Sequence, residues 1–293
     1  MPNFKDIHDT GAIDSRFVDK VVVYLESTVD YQIFGERWFF DEGEWLDFKA
    51  ADQCCASGGC SQVIKLVEKD RSVGTVAFGI VDRDVLLSQN LWDQLFETDD
   101  EKYLLQKPFG PYVHLLCRWE IENYLLDPIE IEILIQDHPR GHESRSLRPE
   151  NETVQELMNY LRILIPVMAT NMVLHKNGES SLNIKYGCRV RDRGQMEVDI
   201  KQTLQKNANL PNSCLEDVVS FIEKIEAFEG DHPENSQTRL NALSRIIDGK
   251  RVFDRIQHHY TLKDEYRFQL ARRVRENDRI PHEIVDLVES LRE

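Results

Sequence analysis

An α/β chain, with a parallel sheet flanked by helices and a largely helical C-terminal half, is what this sequence predicts. Two near-continuous apolar runs, Val21–Leu25 and Thr75–Val81, have the length and β-branched content of strands buried on both faces. Helical periodicity follows the first run directly, as a strand–helix–strand unit requires. From Ser213 onward the remaining pattern is helical. The 293 residues suffice for a substantial core. The apolar strand candidates fall within 1–130, and 131–293 is mainly helical.

The first strand, Val21–Leu25, leads into Glu26 and a helix through Tyr31, Ile33, Phe34 and Trp38, with Ser27 or Thr28 as N-cap. Trp45–Phe48 is a short strand. A small-residue loop from Ala50 to Cys60 leads into a helix over Ser61–Asp70, and Thr75–Val81 is the next strand. Leu86–Phe96 reads as one helix and Tyr112–Cys117 as a further strand. Ile129–Ile135 is helical, and 138–149 is a basic, proline-bounded loop carrying His138 and His142. A long helix covers Thr153–His175, with Pro166 able to kink it. Leu182–Tyr186 is a short strand or irregular. The basic island Arg189–Gly194 is either an ion-paired loop or a phosphate contact. Helices then cover Leu215–Phe228, Glu234–Asp248, Lys250–Tyr260, Leu262–Glu276 and His282–Leu291.

Composition excludes some functions. The 36 Lys and Arg against 52 Asp and Glu give a formal charge of −16, which disfavours broad binding to long nucleic acid. Any such contact must be local or metal-bridged. The six cysteines show no paired Cys-x-x-Cys spacing of the kind zinc sites use. The glycines before Ser61 lack the Gly-x-x-x-x-Gly-Lys-Ser/Thr pattern of a nucleotide-hydrolysing loop. No export signal is visible at Met1–Asp6, and Leu161–Leu174 is too short and too interrupted to span a bilayer, so a cytoplasmic protein is expected.

Acids mark the strand ends. Asp82 and Asp84 close the Thr75–Val81 run, and in extended chain residues two apart point the same way while Arg83 points elsewhere. Such a C-terminal edge is where open α/β sheets place ligands. Glu26 and Asp30 stand beside the first strand, and Glu120 and Glu122 follow the Tyr112–Cys117 strand. Clustered carboxylates repel one another unless a cation neutralises them, so Glu26, Asp30, Asp82, Asp84, Glu120 and Glu122 predict one or two hard divalent ions, Mg²⁺ or Mn²⁺. Two ions about 4 Å apart suit phosphodiester hydrolysis. Lys250, presented after Gly249 at a helix start, is the candidate to offset charge on the phosphate. Glu26, Asp82, Asp84 and Lys250 are thus the candidate catalytic residues.

Tyr24–Asp30, Gly79–Asp84 and Arg118–Leu126, with Gly249-Lys250 later, resemble the ordered motifs of Toprim nucleases of the overcoming-lysogenization-defect type. The resemblance is strongest to the stand-alone Toprim effector subunits of PARIS-type anti-phage systems. It aligns Glu26 with the Toprim glutamate, Asp82 and Asp84 with the metal-binding Asp-x-Asp, and Glu120 and Glu122 with the downstream acidic pair. Ser27 stands where the family usually has glycine. The resemblance implies a toxic metal-dependent nuclease with a Toprim-like catalytic core over 1–130, completed by about 245–260, and a mainly helical region over 131–293 for dimerisation, substrate or partner contact. It also implies release from an ABC-type ATPase partner acting in trans, a homodimeric active form, and an RNA substrate, transfer RNA in particular, with a DNA nuclease as the alternative.

Two other classes compete. A catalytically silent Toprim-like module would mainly bind the ATPase, and its complex would be indifferent to the acids. A dehalogenase-type phosphatase, or a nucleotide-sugar transferase, could also use Asp82-Arg83-Asp84. The phosphatase pattern needs threonine or a similar residue where Leu86 stands.

Overall fold

The computed structural model describes residues 20–54, 58–137, 146–206, 210–211, 213–262 and 266–292. They pack as two units. The first takes in the chain up to Val81, Lys107–His114 and the stretch from His282; the second holds Asp82–Gln106 and Leu115–Pro281. A packing boundary therefore falls directly after Val81, inside the expected 1–130 core. The expected completing segment, 245–260, lies in the second unit with Glu120 and Glu122.

In the first unit β1 (Val21–Leu25), α1 (Thr28–Ile33), β2 (Leu46–Ala50), α2 (Ala51–Cys54), α3 (Cys60–Ser72) and β3 (Ala77–Val81) succeed one another. With β4 (Val113–Leu115) the strands form a sheet of order β2-β1-β3-β4, and the β1–β2 and β1–β3 ladders are parallel. Val23 stands opposite Phe48 on one side and Phe78 on the other. The expected strand burial holds: β1 and β3 are buried on both faces along most of their length. At the edge, β2 alternates between buried and half-exposed residues, because only one of its faces is covered. The apolar stripe Val63, Leu66 and Val67 of α3 is buried, at the i, i+3, i+4 spacing of a covering helix. Beyond α1 the helix continues as a π-helical turn, Phe34–Trp38, whose Phe34 and Trp38 rings meet edge to face at 5.5 Å. The loop expected from Ala50 is partly α2, and its Cys55–Ser57 lie outside the described residues.

The second unit is built of helices. The single helix expected over 86–96 is two, α4 (Val85–Ser88) and α5 (Trp92–Leu95), because Asn90 adopts a left-handed conformation (φ 58°) that ends the first. Then come α6 (Asp100–Leu105), a 3-10 turn Ile121–Leu125, α7 (Pro128–Asp137), α8 (Glu150–Lys176), α9 (Arg193–Lys206), α10 (Cys214–Glu226), α11 (Gln237–Leu243), α12 (Gly249–Tyr260) and α13 (Tyr266–Glu276). The last helix, α14 (His282–Ser290), belongs to the first unit, where Arg292 pairs with Glu42 and lies over the Trp45 ring.

α8 is the axis of the second unit. It runs 27 residues without ending at Pro166, and every residue from Ile163 to Leu174 is buried. Burial at all these positions outweighs the proline cost of about 3 kcal/mol. Among the described residues it is the one helix long and apolar enough to cross a membrane, a length the interrupted 161–174 stretch did not suggest. Of its apolar window, 89% is buried inside the protein, as in a core helix. Both α9 and α10 pack on it. Leu182–Tyr186 forms no strand: the carbonyls of Leu182, Asn183 and Ile184 are taken by the Arg251 guanidinium. The helix expected over 234–248 stops at Leu243, and Ser244 turns to accept the Trp119 N–H at 2.9 Å.

Candidate active site

Glu26 directly succeeds β1, and Asp82 is bonded to the last residue of β3, so the two acids terminate neighbouring parallel strands. Local contacts settle the backbone after Glu26. Ser27 is extended (φ −138°, ψ 162°), a conformation open to any residue, so this chain needs no glycine there. Its hydroxyl accepts the Asp30 N–H, while its own N–H and hydroxyl both donate to Asp30 Oδ2, at 2.9 and 2.8 Å. This is a capping box. Asp30, 9% exposed, therefore spends that oxygen on starting α1. Asp52 of α2 accepts the Thr28 N–H and hydroxyl, both at 2.9 Å. Gly59 donates its N–H to the Glu26 carbonyl at 3.3 Å, which seats the loop before α3 beside the acid.

In the second unit, Asp82 is half-buried and Asp84 exposed, and each can offer a carboxylate oxygen within 4.8 Å of the other's. Arg83 between them is fully buried, but not through the expected extended-chain alternation: β3 ends at Val81, Arg83 and Asp84 lie in a turn, and Asp84 is already helical (φ −58°, ψ −22°) as the N-cap of α4. Its guanidinium donates to the carbonyls of Cys117, Leu95 and Glu97 at 2.9–3.0 Å and lies 4.0 Å from the Tyr103 ring centre. Burial pushes its pKa down to about 10. Arg83 thus anchors the segment that carries the two aspartates.

The second acidic pair comes with its own cations. Glu120 (side chain 4% exposed) accepts from the Lys250 ammonium at 2.6 Å and from the Lys250 backbone N–H at 2.7 Å. Fully buried Glu122 lies 3.7 Å from the same ammonium and takes Arg267 at 2.8 Å. Burial disfavours the charge on Lys250, but Glu120, Glu122 and Asp82 outweigh it and raise the lysine's pKa. The lysine side chain keeps 45% of its exposure, so it faces solvent from above two buried carboxylates.

The start of α12 explains why Gly249 precedes Lys250. Asp248 is the N-cap, accepting the Arg251 N–H at 3.0 Å. Burial, and Glu120 beside it, hold the Asp248 carboxyl well above the usual carboxylate range. A Cβ on Gly249 would come within 2.7 Å of Asn123 Oδ1 and 2.9 Å of the Asn123 backbone nitrogen. That asparagine is fixed from both ends: its Oδ1 accepts the Glu120 N–H at 3.1 Å and its Nδ2 donates to the Ile247 carbonyl at 2.9 Å. Only glycine lets the helix start close enough for Lys250 to reach Glu120.

The structure brings Asp82, Asp84, Glu120, Glu122 and Lys250 into one unit and sets Glu26 at the end of the strand next to β3. Sequence reasoning missed three supporting residues. Asn123 stood unremarked inside the Arg118–Leu126 motif, and an Asp before Gly-Lys is a capping signal that pointed to Asp248. Arg267, 145 residues from Glu122, had no local signal. His138 and His142 lie outside the described residues. The described cysteines are free thiols. Compared with protein-family models, with curated proteins and with solved structures, the chain gives no match.

Proposed function

We propose that this protein is a divalent-metal-dependent nuclease of the Toprim type. The observation that carries the reading is that Asp82 and Asp84, which can each turn one oxygen toward a single cation, share one unit with Lys250 held on Glu120 and Glu122. The donors are carboxylates alone, which suits Mg²⁺ or Mn²⁺ and not a thiolate-seeking metal. What such an ion supplies is positive charge against a phosphodiester and activation of water. The chain's own residues do the rest. Arg83 anchors the aspartates. Glu120 and Glu122 act chiefly by holding Lys250, whose ammonium stands ready to neutralise a scissile phosphate. Asp30 supports Glu26 through the cap it makes with Ser27.

The resemblance of motifs supplies the biological side: a toxic cytoplasmic effector of phage defence, restrained by an ABC-type ATPase, homodimeric when active and directed at transfer RNA. A formal charge of −16 fits a compact folded RNA better than long DNA.

The test incubates the purified chain, alone and after release from its ATPase, with transfer RNA and with DNA in Mg²⁺ or Mn²⁺. Wild type cleaves RNA, and Glu26→Gln and Asp82→Asn abolish cleavage with unchanged helicity. Undiminished cleavage by either variant would falsify the reading.

A further inference from the structure

The basic island of the sequence has a place that the acids do not account for. Between α8, α12 and the segment before α9 lies a cleft of about 520 Å³, lined by Arg189, Arg191, Arg255, Tyr160, His258 and His259. Its wall is built. Gly187, at φ +71°, a conformation that favours glycine, makes the turn that presents Cys188–Val190. Arg255, 4% exposed, clamps that turn by donating to the Gly187 and Val190 carbonyls at 2.7 and 2.6 Å. Arg251, one turn earlier on α12, does the same for the carbonyls of Leu182, Asn183 and Ile184.

Charge in the cleft is positive. The third arginine of the island, Arg193, is spent on Glu197 and Glu226. Among the described residues Arg189 and Arg191 have no carboxylate partner, and both are exposed. Arg255 Nε is buried without a hydrogen-bond partner, so this cation is not neutralised by a carboxylate either. The one acid of the lining, Glu156, is taken up by Arg148 at 2.6 Å and by the hydroxyls of Tyr160 and Tyr260. His259 accepts or donates at Tyr160 at 2.9 Å and stacks on Tyr260, which keeps a flat ring at the mouth. Arginines with an aromatic surface are the chemistry of single-stranded nucleic-acid contact.

We propose that this cleft is a positioning subsite that binds the phosphodiester backbone of an RNA strand whose scissile phosphate lies at Lys250. The proposal rests on the nuclease reading for its second half only. Lys250 and His258 are on the same helix, eight residues apart, which is about 12 Å along its axis and within the span of a short oligonucleotide. A strand held in the cleft would be drawn toward Lys250 although the chain is acidic overall.

The experiment measures binding of a fluorescent single-stranded RNA to the full chain without metal, with inorganic phosphate and a mononucleotide as separate competitors. Arg189→Ala/Arg191→Ala, both at exposed positions, is compared with wild type and with Lys102→Ala, which removes an exposed cation paired with Asp99. The arginine variant binds at least tenfold more weakly with unchanged helicity. Its salt slope is shallower by about 1.4, the value for two lost phosphate contacts on a single strand. Lys102→Ala binds as wild type. Affinity within twofold of wild type in the arginine variant overturns the proposal, as does phosphate or mononucleotide competing as well as the strand. If the arginine variant loses binding while wild-type protein cleaves nothing in Mg²⁺ or Mn²⁺, the cleft stands and the nuclease reading falls.

Discussion

Replacing Gly249 by alanine tests whether the start of α12 is as tightly seated as the distances say. The new methyl group would stand 2.7 Å from Asn123 Oδ1 and 2.9 Å from both Asn123 Cγ and its backbone nitrogen. Such contacts are too short to tolerate, and Asn123 cannot swing away without giving up its bonds to Glu120 and Ile247. Two hydrogen bonds at about 1 kcal/mol each, with an overpacking cost of about 1–3 kcal/mol, give a loss of about 3–5 kcal/mol. Alanine's helix preference returns up to about 1 kcal/mol, leaving a net loss of about 2–4 kcal/mol. Urea unfolding of the purified variant reads it directly. A double-mutant cycle locates the cause: in an Asn123→Ala background, Gly249→Ala costs less, because only the backbone nitrogen still blocks the methyl. A Gly249→Ala protein within about 0.5 kcal/mol of wild type, or a cycle with no coupling, refutes the packing argument.

Asp248 and Asp30 carry two more expectations. Asp248 has a raised pKa in the folded state, so its contribution favours folding at low pH and is lost as pH rises through the folded value. Asparagine caps helices as well as aspartate and mimics the neutral form. Asp248→Asn should therefore be more stable than wild type at pH 8, with the gap closing toward pH 4. A gap that widens on acidification contradicts the assignment. Asp30→Ala removes the capping box of α1 and should cost about 1 kcal/mol, while leaving the Mn²⁺ affinity measured by calorimetry within about threefold. A much larger loss of Mn²⁺ binding with stability intact would make Asp30 a ligand instead of a cap.

Local pattern revealed the strands and the acids well. Val21–Leu25 and Ala77–Val81 were legible because strands covered on both faces must be apolar throughout, and the acids that stop them stand out by contrast. Helix α9 was not legible: Gly194 near its start and a mostly polar composition hide its buried stripe of Met196, Ile200 and Leu204. The break between α4 and α5 depends on the backbone of Asn90, which periodicity does not encode. At the site, residue types were readable and their pairing was not. Six acids suggest six metal ligands until Lys250 and Arg267 are seen against Glu120 and Glu122, contacts spanning 130 and 145 residues. Long-range ion pairs have no local sequence signature.

The return of α14 to the first unit has a consequence for how the protein is made. Arg292 meets Glu42 across 250 residues, and Ile284 and Val288 are buried side chains of a helix that leaves the ribosome after every strand has emerged. Closing a contact of such separation is slow. Until it closes, Ile284 and Val288 stay exposed on the nascent chain, and the first unit is incomplete although all its strands have been made.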